Sequence, residues 1–204
     1  MYAFLRRDSY RGGKTATELL QRLRSAPTTA TALPTATLTA MIHAQVQLLR
    51  ALQAIEKLIK EIIAVHPRAQ LLTALPGVGQ INLAQLLAEV GPILMRVGTA
   101  EQAAAECGTT PVTKASGKVR GVYFRWAANT RARTAITTFA HNARLQSPWA
   151  AKLYTDARAR GKRNPHAVRI VARAWLRVIW ACWHTNTPYN PTQHRAAQAL
   201  TPTT

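Results

Sequence analysis

One serine, Ser116, stands in Lys114-Ala115-Ser116-Gly117-Lys118-Val119-Arg120-Gly121, at the head of a stretch to Arg177 that holds fifteen lysines and arginines and a single acid, Asp156. A hydroxyl is a weak nucleophile until its proton is removed or its alkoxide is stabilised, and a phosphodiester repels incoming negative charge. Lys114, Lys118 and Arg120 are the cations placed to neutralise such a phosphate. The pattern therefore suits attack on a nucleic-acid backbone, or simply its retention; a turn serine beside glycine is the structural alternative. The formal charge of +19 over 204 residues also favours polyanions, DNA or RNA before an anionic membrane.

Further candidates surround the serine. Tyr123, Phe124, Arg125 and Trp126 follow it closely, and Tyr123 and Trp126 either stack on an unpaired base or pack in the core. Arg125, Arg131 and Arg133 extend the basic run. Arg169, Arg173 and Arg177 recur every four residues on one helix face and, with no matching acids nearby in the sequence, either track phosphates or form a solvated face. His141 and His166 are either near phosphate or ordinary surface or core histidines. The six histidines and two cysteines, Cys107 and Cys182, show no zinc spacing, so no metal site and no disulfide framework is expected.

The elements that must position these residues read as mainly α. Thr15-x-x-Glu18 has capping-box spacing and opens a short helix to Arg24, followed by a Thr/Ala/Pro linker. Gly12-Gly13-Lys14-Thr15 imitates the end of a phosphate loop, but Asp8 stands where that motif needs its first glycine. From Leu38 to Val65 a heptad pattern runs through Leu38, Met41, Gln45, Leu48, Leu52, Ile55, Ile59 and Ile62. It makes a helix of roughly 40 Å with a narrow apolar seam. Such a seam calls for a partner helix, either a second copy of this chain or the Thr15 helix folded back.

Leu71 to Val90 has two apolar-periodic segments joined by Pro76-Gly77-Val78-Gly79. This is a helix-hairpin-helix pattern in which Gly77 and Gly79 let the turn approach a phosphate, or a tight turn that only packs two helices. Thr99-x-x-Gln102 caps a helix ending at Cys107-Gly108, and Thr109 to Gly121 reads as a basic serine loop. Helices then open at Asn129 or Thr130, at Ser147-Pro148 and at Asn164-Pro165, the last reaching about Trp183. Residues 185–204 read as a disordered tail. The expected divisions are 1–37, a remnant of a preceding domain with its linker; 38–66, a coiled-coil stalk; 67–184, a compact helical domain; and the tail. No apolar run is long enough for a membrane span, so a cytoplasmic, nucleoid-associated protein is expected.

The order of these parts, a heptad helix, LPGVG, Cys107-Gly-x-x-Pro111, Ser116-Gly117 with Lys118, Arg120 and Gly121, then arginine-rich helices, resembles the C-terminal transposase domain of the insertion-sequence "one-ten" family, also called one-sixteen and nine-oh-two. Its members are serine-bearing recombinases of bacterial mobile elements guided by a bridge RNA. The resemblance runs from Leu71 to His194; Tyr10 to Leu20 is similar to the end of the family's first domain, and Leu38 to Val65 to its coiled-coil stalk. It implies DNA strand exchange at a composite site, in which a RuvC-like domain holds magnesium on four carboxylates and the C-terminal domain supplies the serine, here Ser116. DNA, a guide RNA and further copies of the chain, joined through residues 38–65, are the partners it implies.

Here the sequence departs from that pattern. Only Asp8 precedes Thr15, and Glu18, Glu56, Glu61, Glu89, Glu101, Glu106 and Asp156 have no metal-site spacing. Magnesium is expected only with a carboxylate domain outside this sequence, and the chain alone is expected to bind nucleic acid while cutting it poorly or not at all. A non-catalytic helical DNA- or RNA-binding module is the alternative. A coiled-coil adaptor explains residues 38–65 but not the arginines.

Overall fold

A computed structural model of the chain describes residues 15–25, 35–116 and 119–194. The chain divides into two units, 1–52 and 53–204. It is mainly α-helical, with one short β-hairpin among the described residues.

In the first unit, α1 (Ala16–Ser25) starts as its capping box predicts: the Thr15 amide donates to Glu18 Oε2 at 2.7 Å and the Glu18 amide donates back to Thr15 Oγ1 at 3.3 Å. The bond from the Thr15 amide, then one from Thr15 Oγ1 to the same oxygen at 2.9 Å, favour the charged carboxylate and hold Glu18 below its ordinary pKa. The long helix α2 (Thr35–Val65) begins here and crosses the division between the units. Leu38, Met41, Ile42, Leu48, Leu49 and Leu52 are all exposed. The seam is thus not closed by α1.

The second unit contains the hydrophobic core. Its elements are α3 (Ala69–Leu72), α4 (Gln80–Gln85), a π-helical turn at Leu86–Val90, α5 (Gly91–Arg96), α6 (Ala100–Glu106), β1 (Val112–Ser116), β2 (Val119–Tyr123), α7 (Thr130–Gln146), α8 (Pro148–Ala159) and α9 (Asn164–Thr185). Caps fix the starts of three helices. Thr99 and Gln102 form a complete capping box on α6, Asn129 Oδ1 accepts from the amides of Arg131 and Ala132, and Ser147 caps α8 with Pro148 in its first turn.

α9 lies at the centre, packed against α6, α7 and α8. Its Val171, Trp175, Leu176 and Ile179 are completely buried, as are Ala132, Ala135, Ile136, Phe139, Ala140 and Ala143 of α7. Alanines on that stripe allow two helices to approach closely. Phe139, Trp149 and Tyr189 meet the Trp175 ring edge-on, with centroids 5.3, 5.0 and 5.6 Å away.

Two expectations are corrected. Residues 109–121 are not wholly loop: β1 and β2 pair antiparallel, Val112 opposite Tyr123 through Ser116 opposite Val119. The valines and Thr113 are the β-branched residues that favour this, and the alternation was masked by glycine, proline and lysine. The tail is also not disordered from its start. Asn186, at φ 51°, ends α9 in the left-handed conformation, and the Tyr189 amide donates to Leu71 O at 3.0 Å while its ring is buried. An aromatic residue placed to cover Trp175 outweighs the local proline and threonine content; residues 195–204 lie outside the described part.

The turn at 73–79 is pressed onto α7. Gly77 has φ +71°, and a Cβ there would lie 3.0 Å from Asn142 O, while one at Gly79 would meet open space. Asn82, buried in α4, donates to Ala135 O at 3.0 Å and fixes the same contact. Across the domain, Glu101 of α6 joins two arginines of α9: Arg173 Nε donates to its Oε2 at 3.2 Å and Arg177 Nε to its Oε1 at 2.8 Å. The hydrogen bond from Arg173, then that from Arg177, lowers the Glu101 pKa below its ordinary value.

Two outcomes follow from this packing. Gly77→Ala is expected to destabilise the fold by about 1–3 kcal/mol in denaturant unfolding, through strain at positive φ and the close carbonyl, and Gly79→Ala by less than about 1 kcal/mol. Glu101→Gln is expected to cost less than about 1 kcal/mol near neutral pH, because the pairs are solvent-screened. A carboxylate with a lowered folded pKa stabilises above its unfolded pKa and loses that contribution as pH falls through the folded value. The gap in melting temperature between Glu101→Gln and the parent should therefore close on acidification through the carboxylate range.

Candidate nucleic-acid interface

Hairpin register decides which residues accompany the serine. Ser116 ends β1, is exposed and pairs with Val119; Gly117 and Lys118, the two between them, lie outside the described residues. In the backbone register Lys114 is opposite Gly121, Ala115 opposite Arg120 and Val112 opposite Tyr123. Four residue steps at about 3.3 Å put Ser116 about 13 Å along the strand from Val112 at the root.

The root is where aromatic and basic residues gather. Trp126 is 82% exposed and meets Phe124 edge-on at 4.9 Å, so core packing is excluded for this indole; Tyr123 is 52% exposed. Phe124 carries two guanidiniums, with Cζ of Arg133 and of Arg169 at 4.6 and 4.8 Å from its ring centroid. Arg133 Nη2 also donates to Arg125 O at 2.8 Å, and Arg125 Nε donates to Thr110 O at 3.3 Å. These bonds tie the hairpin base to α7 and to the loop after α6. Gly108, at φ +63°, makes the room: a Cβ there would lie 2.4 Å from Arg133 Nη2.

Ion pairing divides the basic candidates. Arg131 pairs with Glu89 at 2.6 Å, and Arg173 and Arg177 share Glu101. The expectation that the α9 arginines lack acids is corrected, since Glu101, on α6, comes near them only through folding. Arg169 differs, because among the described residues it has no hydrogen-bond or carboxylate partner beside the Phe124 ring. Burial, and then the like charge of Arg133, lowers its pKa. Burial, then Arg169 and Lys162, also holds His166 below the usual histidine range.

The remaining candidates separate in space. Gly77 serves contact with α7, whereas Gly79 stands at the N-terminus of α4 with no side-chain cap. Thr110, Thr137, Thr138 and Asn164 line recesses beside Phe124. Sequence reading did not find them, because α7, α9 and the hairpin root are far apart along the chain and no spacing links them.

Acid chemistry for magnesium is not assembled here. Among the described residues no three His, Cys, Asp or Glu side chains converge, and several acids face cations, Glu61 with Lys57, Glu106 with Arg96 and Asp156 with Lys152 besides those above. These residues do not fit a carboxylate metal site. Burial pushes the Cys107 thiol up to about 12, which removes it as a nucleophile. No helix among the described residues is long and apolar enough to cross a membrane.

The sequence from Ala69 through α7 and into α8 has recognisable relatives. The chain is 28% identical over 143 residues to the 42 kDa protein of insertion element IS900 from Mycobacterium paratuberculosis, covering 70% of this chain and 36% of that protein. It is 31% identical over 138 residues to the 43.6 kDa protein of insertion element IS110 from Streptomyces coelicolor, covering 67% of this chain and 34% of that one. The chain thus spans about a third of the length of these relatives. The model of the family "Transposase IS116/IS110/IS902 family" matches residues 69–155, which include the hairpin with Ser116, so over this region the chain is similar to that transposase family.

Proposed function

We propose that this chain is the DNA-binding, serine-presenting part of an insertion-sequence transposase, with Ser116 as the nucleophile of strand exchange. The observation that carries the reading is the exposed position of Ser116 at the end of β1, on a hairpin whose root is held by Arg125 and Arg133 beside the acid-free Arg169. In the step proposed, the seryl oxygen bonds to phosphorus as the bond from phosphorus to a sugar oxygen breaks. The seryl proton is passed, in net terms, to the departing hydroxyl. One phosphodiester replaces another, so the bond needed for rejoining is conserved.

Cations serve this step by offsetting charge on the phosphate oxygens. Lys114 stands two positions before Ser116 in the chain, and Lys118 two positions beyond it. Proton removal from the serine calls for a base outside the residues described, and metal-bound chemistry belongs with a carboxylate-bearing domain, as no three acids converge among the described residues. The chain alone is therefore a binder that cuts poorly or not at all. The exposed apolar residues of α2 support self-association through residues 38–65, and a guide RNA is a second polyanion that the basic surface suits.

Ser116→Ala, with the carboxylate domain supplied, is expected to abolish strand exchange and leave duplex DNA affinity within about twofold, because a hydroxyl adds little to a contact dominated by phosphate charge. Exchange persisting in that variant would remove the nucleophile assignment and favour a non-catalytic binding module. In a salt titration, Arg169→Gln is expected to reduce the slope of log affinity against log salt by about 0.9, the effect of one lost phosphate contact. Arg177→Gln, whose guanidinium already faces Glu101, should change it by clearly less.

A further inference from the structure

Beside the hairpin root a recess of about 390 Å³ opens between α7 and α9. Pro165 and Val168 give it an apolar floor, Thr138 and Asn164 a polar rim, and Arg133 and Arg169 a cationic end. The volume falls in the range of small-ligand pockets, and so does the mixture of an apolar floor with a few polar groups. A smaller recess of about 110 Å³ adjoins it across Phe124 and Arg169, lined also by Thr110, Arg125 and His166.

Its polar groups are left incomplete by the protein. Arg133 Nε and Thr110 Oγ1 are shielded from solvent and have no hydrogen-bond partner. Asn164 Oδ1 accepts from Tyr154 at 2.9 Å, which leaves its amide N–H groups free to donate. The guanidiniums of Arg133 and Arg169 are both held against the Phe124 ring with no carboxylate between them. Two like charges brought together in a half-buried place repel each other, and an anion between them relieves the repulsion while completing their hydrogen bonds.

We propose that this recess receives a single unpaired nucleotide of a polynucleotide strand, its phosphate between Arg133 and Arg169 and its base on the Pro165–Val168 floor. This rests on the nucleic-acid reading above and narrows it. A paired duplex keeps its bases inside and presents phosphates from a convex surface, so only an extruded or unpaired residue enters a concave recess. Donors at Asn164 and Thr138 then face the edge of the base. Ser116 lies about 13 Å along the hairpin from this root, about four base steps at 3.4 Å each. Capture of one unpaired residue here fixes the register of a strand a few nucleotides from the serine.

The test uses the full chain and four probes: a DNA duplex, the same duplex with one bulged base, and the RNA counterparts of both. The parent protein is expected to bind a bulged form about tenfold more tightly than its fully paired form. Preference within the DNA pair, the RNA pair or both supports the proposal and identifies the strand. Thr138→Trp, which fills the recess from an exposed helix position, should erase that preference and leave paired-duplex affinity within about twofold; His141→Trp, from the same helix, does the same if the first variant melts early. Equal binding of bulged and paired probes by the parent overturns the pocket and leaves the wider reading standing, as does a preference that survives both tryptophans. Failure to bind any of the four overturns both.

Discussion

Burial of α9 is the constraint on which the second unit depends. Its apolar stripe has Trp175 at the centre, and Phe139, Trp149 and Tyr189 reach that ring from α7, from α8 and from the segment after α9. Close-packed interiors accept such a cluster in few arrangements. The alanines of α7 set how near that helix comes, and Arg68 closes the other end of α9 by donating to Trp183 O at 2.6 Å and lying over the Trp183 ring. With α7 and α9 fixed, Arg133 and Arg169 have little choice but to meet at Phe124.

Charge then follows from packing. The chain has 27 lysines and arginines against 8 acids, so most cations cannot find an acid in the same chain. Those that do are selected by proximity in space. Glu101 takes two arginines of α9 and Glu89 takes Arg131, which uses these acids to join elements and leaves Arg133 and Arg169 at the hairpin root without a carboxylate. Such pairs are exposed and individually weak. Their larger effect is to distinguish arginines that are committed to the fold from arginines available to an anion.

The hairpin and the root perform separable tasks. Ser116 stands at the far end of a two-stranded element, which by itself is marginal in water; the hydrogen bonds of Arg125 and Arg133 at its base supply the anchorage. The hydroxyl on this arm is exposed, whereas the aromatic and guanidinium groups lie at the anchored root.

Local physics was readable from the sequence alone. Capping residues Thr15, Thr99, Asn129 and Ser147 start helices where their side chains can satisfy free amides, and the helical periodicity of residues 38–65 and 164–183 marks helices, of which the second buries its apolar stripe while the first leaves its own exposed. The serine with its basic neighbours was likewise visible, since composition and adjacency need no fold. Contacts between distant segments were not. Glu101 with Arg173 and Arg177, Gly77 against α7, Tyr189 over Trp175 and the pair Arg133 and Arg169 on Phe124 join residues with no common spacing, so only tertiary packing brings them together. Glu101 is the instructive case: it lies 72 residues from Arg173, yet the two meet, because which residues become neighbours in space is decided by the backbone geometry the fold selects.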